Sequence, residues 1–364
     1  MESVCYKQVC STCAGISLGR YIDSYGEMDT CDYCGKCEIP VMTIDSLLPR
    51  IYQSMQLYYE SPEDYPHLQM PNYLSYTTDA IEDEDMELDD AREDFIFDLK
   101  KSVNLDDKVW LRKAGIWTSF PEALKLSWQR FSSIVKTQQR YTFFLCGNDI
   151  LDPATYSPLD AMNVICELLQ IQNAFIKELP ARTCIYRNRK DDVKFCLNAK
   201  ELGTAPYMHA KNNRFSPKGV PMFYGSLDEN TCEIESSGDG KYSVTGVFHN
   251  AKPVRVLDLT NIPPIPKLYD DDFGFIPAFK FLHEFSNEIS KDVSNDELDY
   301  IPTQVFTEFI RMQGLRKFKL KGIMYRSSKT GGGNNLVLFY TNDECKNKDD
   351  GTDCLVLDKV LEVH

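Results

Sequence analysis

The sequence predicts an α+β protein of more than one domain, and three observations carry that reading. Cysteines crowd the first 42 residues, apolar residues then recur at helical spacing, and after Pro180 the pattern breaks into short strand-like runs. At 364 residues the chain exceeds one ordinary core. We therefore expect a metal-stapled knuckle over 1–42, a helical domain over 43–177 and a mixed helix-and-sheet domain over 178–364.

The elements follow in chain order. Within 1–42, Gly15, Gly19, Gly26 and Gly35 supply turns between the cysteines. From Ile44 to Tyr59, Leu47, Leu48, Ile51, Met55 and Leu57 take spacings compatible with a helix. Residues 79–94 hold ten acidic residues and one arginine, a run that reads as a solvated loop or an exposed helix face. Over 121–136, Pro121 and Glu122 suit a first turn, and Leu124, Trp128, Phe131 and Val135 line one face. A further helix is expected over 158–176, opened by Ser157-Pro158, with Leu159, Met162, Ile165, Leu169 and Ile176 on one side. Both stripes read as core.

Beyond Pro180 the strand-like runs are Thr183–Tyr186, Met222–Tyr224, Val254–Leu259, Lys321–Tyr325 and Leu336–Phe339, bounded by Gly, Pro and Asn. Residues 278–290 and 301–313 have helical spacing between them. Pro263–Pro266 and Phe273–Ile276 read as a loop over the core or a pocket. The glycines of Lys329–Asn334 lack the Gly-Lys-Ser/Thr of a phosphate loop, so they read as a flexible turn between strands.

Composition excludes several classes. With 43% apolar and 26% charged residues the chain reads as soluble and globular. No run approaches the roughly 20 apolar residues of a membrane helix, and Met1–Tyr6 lacks the basic start of a secretory signal. A cytoplasmic location is expected. The net charge of −15 opposes general affinity for nucleic acid phosphates, although the acidic run carries −9 of it.

Six of the thirteen cysteines lie within residues 5–37, which in a reducing compartment points to metal ligands. Cys10-x2-Cys13 and Cys31-x2-Cys34 have the spacing of four-cysteine zinc knuckles. Two tight turns would aim four thiolates at one tetrahedral Zn2+ and leave no open position, so the site should be structural. Cys5 and Cys37 are alternative fourth ligands.

Four blocks of the second half share an order and spacing. Tyr186-Arg187-Asn188-Arg189 comes first, followed by Asn213–Tyr224 (NRFSPKGVPMFY) and Thr231-Cys232-Glu233-Ile234-Glu235. Gly322–Ser328 (GIMYRSS) closes the series, with Val256–Thr260 and Tyr300–Gln304 between. These blocks resemble the RES domain, named for its Arg, Glu and Ser. More weakly, Trp128-x2-Phe131 and Arg140–Phe144 resemble the HEPN/RES N-terminal extension that precedes some RES domains. None of His67, His209, His249, His283 and His364 follows an arginine at the spacing of a HEPN ribonuclease, so no nuclease is expected.

The resemblance implies an ADP-ribosyltransferase-like fold, cleavage of the nicotinamide–ribose bond of NAD+, and toxin or defence biology beside an antitoxin. On that footing Arg187, Glu235 and Ser327 are the catalytic candidates. Glu235 would offset oxocarbenium charge on the ribose, and Ser327 would orient the ribose or the amide. Arg187, with Arg214 and Arg189, would clamp the pyrophosphate, and Tyr224 would offer a ring face to nicotinamide. Glu233 is a second candidate, because strand alternation would place it on the same face as Glu235.

The expected activity is an NAD+ glycohydrolase or phosphorylase. The alternatives are ADP-ribosyl transfer to a macromolecule and a non-enzymatic zinc-dependent interaction module. A free NAD+ hydrolase needs restraint, so the first half, with its acidic run, is expected to shield the basic pocket or to dock an antitoxin or trigger. The plainer reading is that the run keeps the chain soluble.

Overall fold

The computed structural model describes residues 6–60, 74–83, 86–103, 109–112, 128–145, 158–171, 175–236, 240–291, 297–330 and 332–363. They fall into two compact units. The first draws on residues within 1–127 and 264–280, the second on residues within 128–146, 158–263 and 281–364.

In the first unit β1 (Gln8–Cys10), α1 (Ser11–Ala14), α2 (Ile16–Tyr25), β2 (Glu27–Asp29) and β3 (Ile39–Thr43) make a small antiparallel sheet with two helical turns packed on it. Helix α3 (Ile44–Tyr58) begins where Thr43 accepts the backbone N–H of Ser46 at 3.2 Å, an N-cap bond. Its buried face holds Leu47, Ile51 and Met55, as their spacing predicts. The unit is less purely helical than expected. Strands β4 (Tyr59–Glu60), β5 (Leu74–Tyr76) and β6 (Val109–Arg112) form a second sheet, accompanied by α4 (Thr77–Ile81) and α5 (Glu93–Val103).

Within the acidic run Glu82, Asp89, Asp90, Glu93 and Asp94 are exposed, as a solvated stretch would be, but Met86 and Leu88 are buried in the first unit's core and some of the carboxylates have partners. Asp83 accepts Tyr59 Oη at 2.6 Å, Asp90 accepts the backbone N–H of Ile16 at 2.8 Å, and Arg92 N donates to Cys13 O at 3.0 Å. Gly15, at φ 87°, leaves room for Asp90: a Cβ there would meet Asp90 Oδ1 at 2.5 Å.

Residues 264–280, expected with the second half, pack in the first unit instead. Leu268 and Tyr269 are fully buried there. Tyr269 Oη donates to Met86 O at 2.8 Å, Ser54 Oγ to Leu268 O at 3.0 Å and Arg50 Nε to Tyr269 O at 3.2 Å. Arg50 also pairs with Asp271 at 2.8 Å and lies over the rings of Tyr21 and Phe273. A buried cation with this many partners is a structural clamp.

In the second unit the helical stretch 128–138 buries Trp128, Phe131 and Val135, as the stripe predicts; Leu124 lies outside the described residues. Helix α6 (Pro158–Ile171) buries Met162, Ile165 and Leu169. Residues 172–174 lie outside the described residues, and Ile176, expected within this helix, opens strand β7 (Ile176–Leu179). Then come β8 (Cys184–Asp191), α7 (Ala199–Leu202), β9 (Phe223–Ser226), α8 (Glu229–Glu235), β10 (Tyr242–Asn250) and β11 (Val254–Asp258). Helices α9 (Ile276–Ile289) and α10 (Ile301–Lys317) precede β12 (Leu320–Arg326), β13 (Asn334–Leu338), β14 (Cys345–Lys346) and β15 (Leu355–Val363).

Among the described residues these nine strands form one sheet, ordered β14-β15-β10-β8-β9-β13-β12-β11-β7. Only the β11–β12 and β14–β15 pairs are parallel. A parallel β11–β12 pair needs a long crossover, which the chain from 259 to 319 with α9 and α10 supplies. Ile185, Phe223, Leu336, Leu338 and Met324 cluster in the core on one face.

Candidate functional site

The centre of the large sheet carries one cross-strand row. Tyr186 on β8 faces Ser226 on β9, Ser226 faces Asn335 on β13, and Asn335 faces Tyr325 on β12. Opposed residues share a face, so residues more than a hundred positions apart in sequence meet here.

Glu235 reaches this row from the end of α8. The helix starts at Asp228, whose carboxylate accepts Thr231 N at 2.7 Å. It approaches the β12–β13 turn so closely that a Cβ at Gly333 would meet Thr231 Oγ1 at 1.9 Å, so a side chain cannot be accommodated there. Glu235 Oε1 accepts two hydrogen bonds, from Ser327 Oγ at 2.5 Å and from Asn335 Nδ2 at 2.9 Å. Among the described residues Oε2 has no partner. Ser327 is buried, and its hydroxyl also accepts the backbone N–H groups of Lys329 and Thr330 at 3.2 Å each.

Asn335 and Ser226 are buried too, and Ser226 Oγ donates to Asn335 Oδ1 at 2.6 Å. Neither was singled out from sequence, although Asn335 is a polar residue beside the apolar run Leu336–Phe339. Glu233 points elsewhere. Because residues 229–235 are helix rather than strand, Glu233 and Glu235 lie about 200° apart around the axis, and Glu233 is exposed.

Arg187 enters at the gap between β8 and β9. Those strands pair only at Tyr186–Ser226. Beyond that pair the Arg187 guanidinium donates to Tyr224 O, while its Nε lies 3.2 and 3.1 Å from Leu202 O and Gly203 O. Burial, with the charge of Arg189 added, lowers it to about 9, so it stays charged at neutral pH. Strand alternation sets Arg187 and Arg189 on the opposite side of β8 from Tyr186. Arg189 Nη2 donates to Gly203 O at 2.7 Å, and its buried Nε has no partner among the described residues.

Tyr224 is half-buried, its hydroxyl 2.9 Å from Ser216 Oγ, and burial raises it to about 12. The Ser216 loop is fixed by α10. Gln304 Nε2 donates to Asn212 Oδ1 at 2.8 Å and Asn213 O at 2.7 Å, and Thr303 Oγ1 to Arg214 O at 2.5 Å. Arg214 itself donates to Lys291 O at 2.6 Å and lines a cavity of about 330 Å³ with Trp128, Lys136 and Tyr300. No hydrogen bond joins it to Glu235 or Ser327. Tyr325 links the two places: burial raises its phenol, and its electrostatic neighbours are Tyr224, Glu235 and Arg214.

In the first unit β1 delivers Cys10, α1 delivers Cys13, and the turn after β2 delivers Cys31 and Cys34. Gly35 closes that turn at φ 67° and donates to Cys31 O at 2.8 Å. The four sulfurs lie within 4.8 Å of one another, a set that can hold a metal ion. The Lys36 backbone N–H lowers the Cys34 thiol to about 7, whereas burial raises Cys10 and Cys13. Cys37 lies outside the cluster, its sulfur near Gly35 O, and Cys5 lies outside the described residues.

Comparison with known families finds two matches. Residues 24–149 match HEPN/RES N-terminal domain 1 and residues 194–354 match the RES domain. No curated protein and no solved structure was found to match. Arg214, Tyr224, Glu235, Ser327 and Asn335 lie inside the second match, and Arg187 and Arg189 precede it on β8. The chain thus carries a RES domain over 194–354, preceded by HEPN/RES N-terminal domain 1 over 24–149.

Proposed function

We propose that the chain degrades NAD+ by cleaving the bond between nicotinamide and ribose. One observation carries this reading. Within a RES domain, Glu235 is held through a single oxygen by Ser327 and Asn335, and among the described residues the other oxygen has no partner and can meet a ligand. When the C1′–N bond breaks, its electron pair leaves with neutral nicotinamide, so no strong general acid is needed. Positive charge then spreads over C1′ and the ring oxygen, and a carboxylate beside the ribose offsets it. Water or inorganic phosphate forms the new C1′–O bond and loses a proton to solvent.

Ser327 and Asn335 hold the carboxylate still, so it needs little reorganisation as the charge develops. Arg187 holds the β8–β9 gap through three carbonyls and adds fixed positive charge beside it. The four cysteines bind a structural Zn2+ that braces the first unit. NAD+ depletion in the cytoplasm fits a toxin or defence role, with an antitoxin or trigger as partner.

The test is incubation of the full chain with NAD+ with and without phosphate, followed by identification of the ribosyl product. ADP-ribose or its 1″-phosphate supports the proposal. Label appearing on a protein or nucleic acid acceptor would replace it with transferase activity.

A further inference from the structure

From the same row of residues we infer that Asn335 and Ser226 are positioning residues, which orient the Glu235 carboxylate without touching substrate. This inference rests on the NAD+-cleaving reading for its kinetic consequence but not for its structural content.

An asparagine amide has two faces of opposite character, an acceptor oxygen and a donor nitrogen, and rotation by half a turn exchanges them. Only one orientation is useful here, because a carboxylate needs a donor. Ser226 Oγ donates to Asn335 Oδ1 at 2.6 Å, which turns Nδ2 toward Glu235 Oε1 at 2.9 Å. Both residues are buried, at 2% and 3% exposure, so water cannot substitute for either bond. The strand register places them opposite each other, and Asn335 also opposite Tyr325, two residues before Ser327. Both bonds to Glu235 land on Oε1. The two donors anchor Oε1, and Oε2 is the oxygen left for a ligand. Asn335 Oδ1 and Nδ2 each already make one bond, and both residues are buried, which keeps them behind Glu235 rather than in contact with substrate.

Two measurements on the full chain test this. In steady-state nicotinamide release, Asn335→Ala and Ser226→Ala should lower kcat about 10- to 100-fold, the usual range for an outer-shell partner, with KM changed by less than about threefold. Ser226→Thr, which keeps the hydroxyl, should restore most of the rate. In a Glu235→Gln background Asn335→Ala should add no further loss, because it acts through the carboxylate. An unchanged kcat, a loss confined to KM, or a full additive loss would overturn the inference.

The second measurement needs no turnover. In protein labelled with 13C at glutamate carboxyls, the Glu235 signal, identified by its absence in Glu235→Gln, should change its chemical shift at fixed pH in both alanine variants, because the Asn335 hydrogen bond to the carboxylate is removed or loosened. Tyr325 and Lys329, the other ionisable groups beside Glu235, are the same in every variant. An unmoved signal would overturn the relay even if wild-type protein released no nicotinamide, an outcome that would separately end the NAD+ reading. Ser226→Ala deletes one oxygen atom and serves where Asn335→Ala does not fold.

Discussion

Glu233 and Glu235 stand two residues apart, yet folding gives them different surroundings. Glu235 is hydrogen-bonded to Ser327 and Asn335, and Glu233 faces solvent on the far side of α8. Glu235→Gln should lower the rate of NAD+ cleavage at least about 100-fold and leave the circular dichroism spectrum unchanged; Glu233→Gln should stay within about twofold. A large loss in Glu233→Gln would show that the wrong carboxylate has been assigned. Arg187 is a second single-residue case, because its planar fork meets carbonyls of α7, Gly203 and β9 at once. A lysine ammonium cannot match that geometry, so Arg187→Lys should cost about 1–3 kcal/mol through carbonyls left unpaired. Thermal unfolding would measure it, and an unchanged melting temperature would contradict the role of Arg187 in holding the β8–β9 gap. From sequence, Arg187, Glu235 and Ser327 were proposed from blocks that resemble the RES domain, and of these Glu235 and Ser327 fall inside the matched segment while Arg187 precedes it. Asn335 and Ser226 were not, because their importance lies in a pairing across 109 residues that no local pattern announces.

Periodicity determined which elements could be read in advance. The stripes of α3, of 128–135 and of α6 are true core faces, because a helix that buries one side must repeat apolar residues near every 3.6 positions. Helix α8 has only seven residues, too few to show a period, so its two glutamates looked like strand neighbours. Ile176 fitted the α6 stripe by spacing although the chain had already turned into β7. At this scale the cysteine turns carry a prediction: about one zinc per chain by elemental analysis, with Cys13→Ser destabilising the first unit because metal binding there is folding free energy. Protein purified without chelator and free of zinc would remove that claim. Residues 264–280 carry another. Tyr269→Ala should cost about 3–5 kcal/mol, as for other large buried rings, and urea unfolding would show whether the first unit loses it. No loss would mean that the segment is not clamped there.

Charge and chain path shape the molecule as a whole. The net charge of −15 is concentrated in the acidic run, but Asp83, Glu87, Asp90 and Asp94 already have partners within the first unit. That use of the carboxylates weakens the motive for a role as a pocket shield. It also matters for any trial of autoinhibition. A fragment of 178–364 would strip Leu268 and Tyr269 of the core that buries them, so restraint has to be tested in the full chain. The family blocks exposed the RES domain in the sequence. The return of one of its segments to the first unit was hidden, since burial of Leu268 beside Ser54 depends on tertiary packing alone. Nicotinamide release from NAD+ by the folded full chain tests the assigned site most directly. Release that is lost in Glu235→Gln and kept in Glu233→Gln is the predicted result. Absence of release from metal-loaded wild-type protein, with and without phosphate, would contradict it.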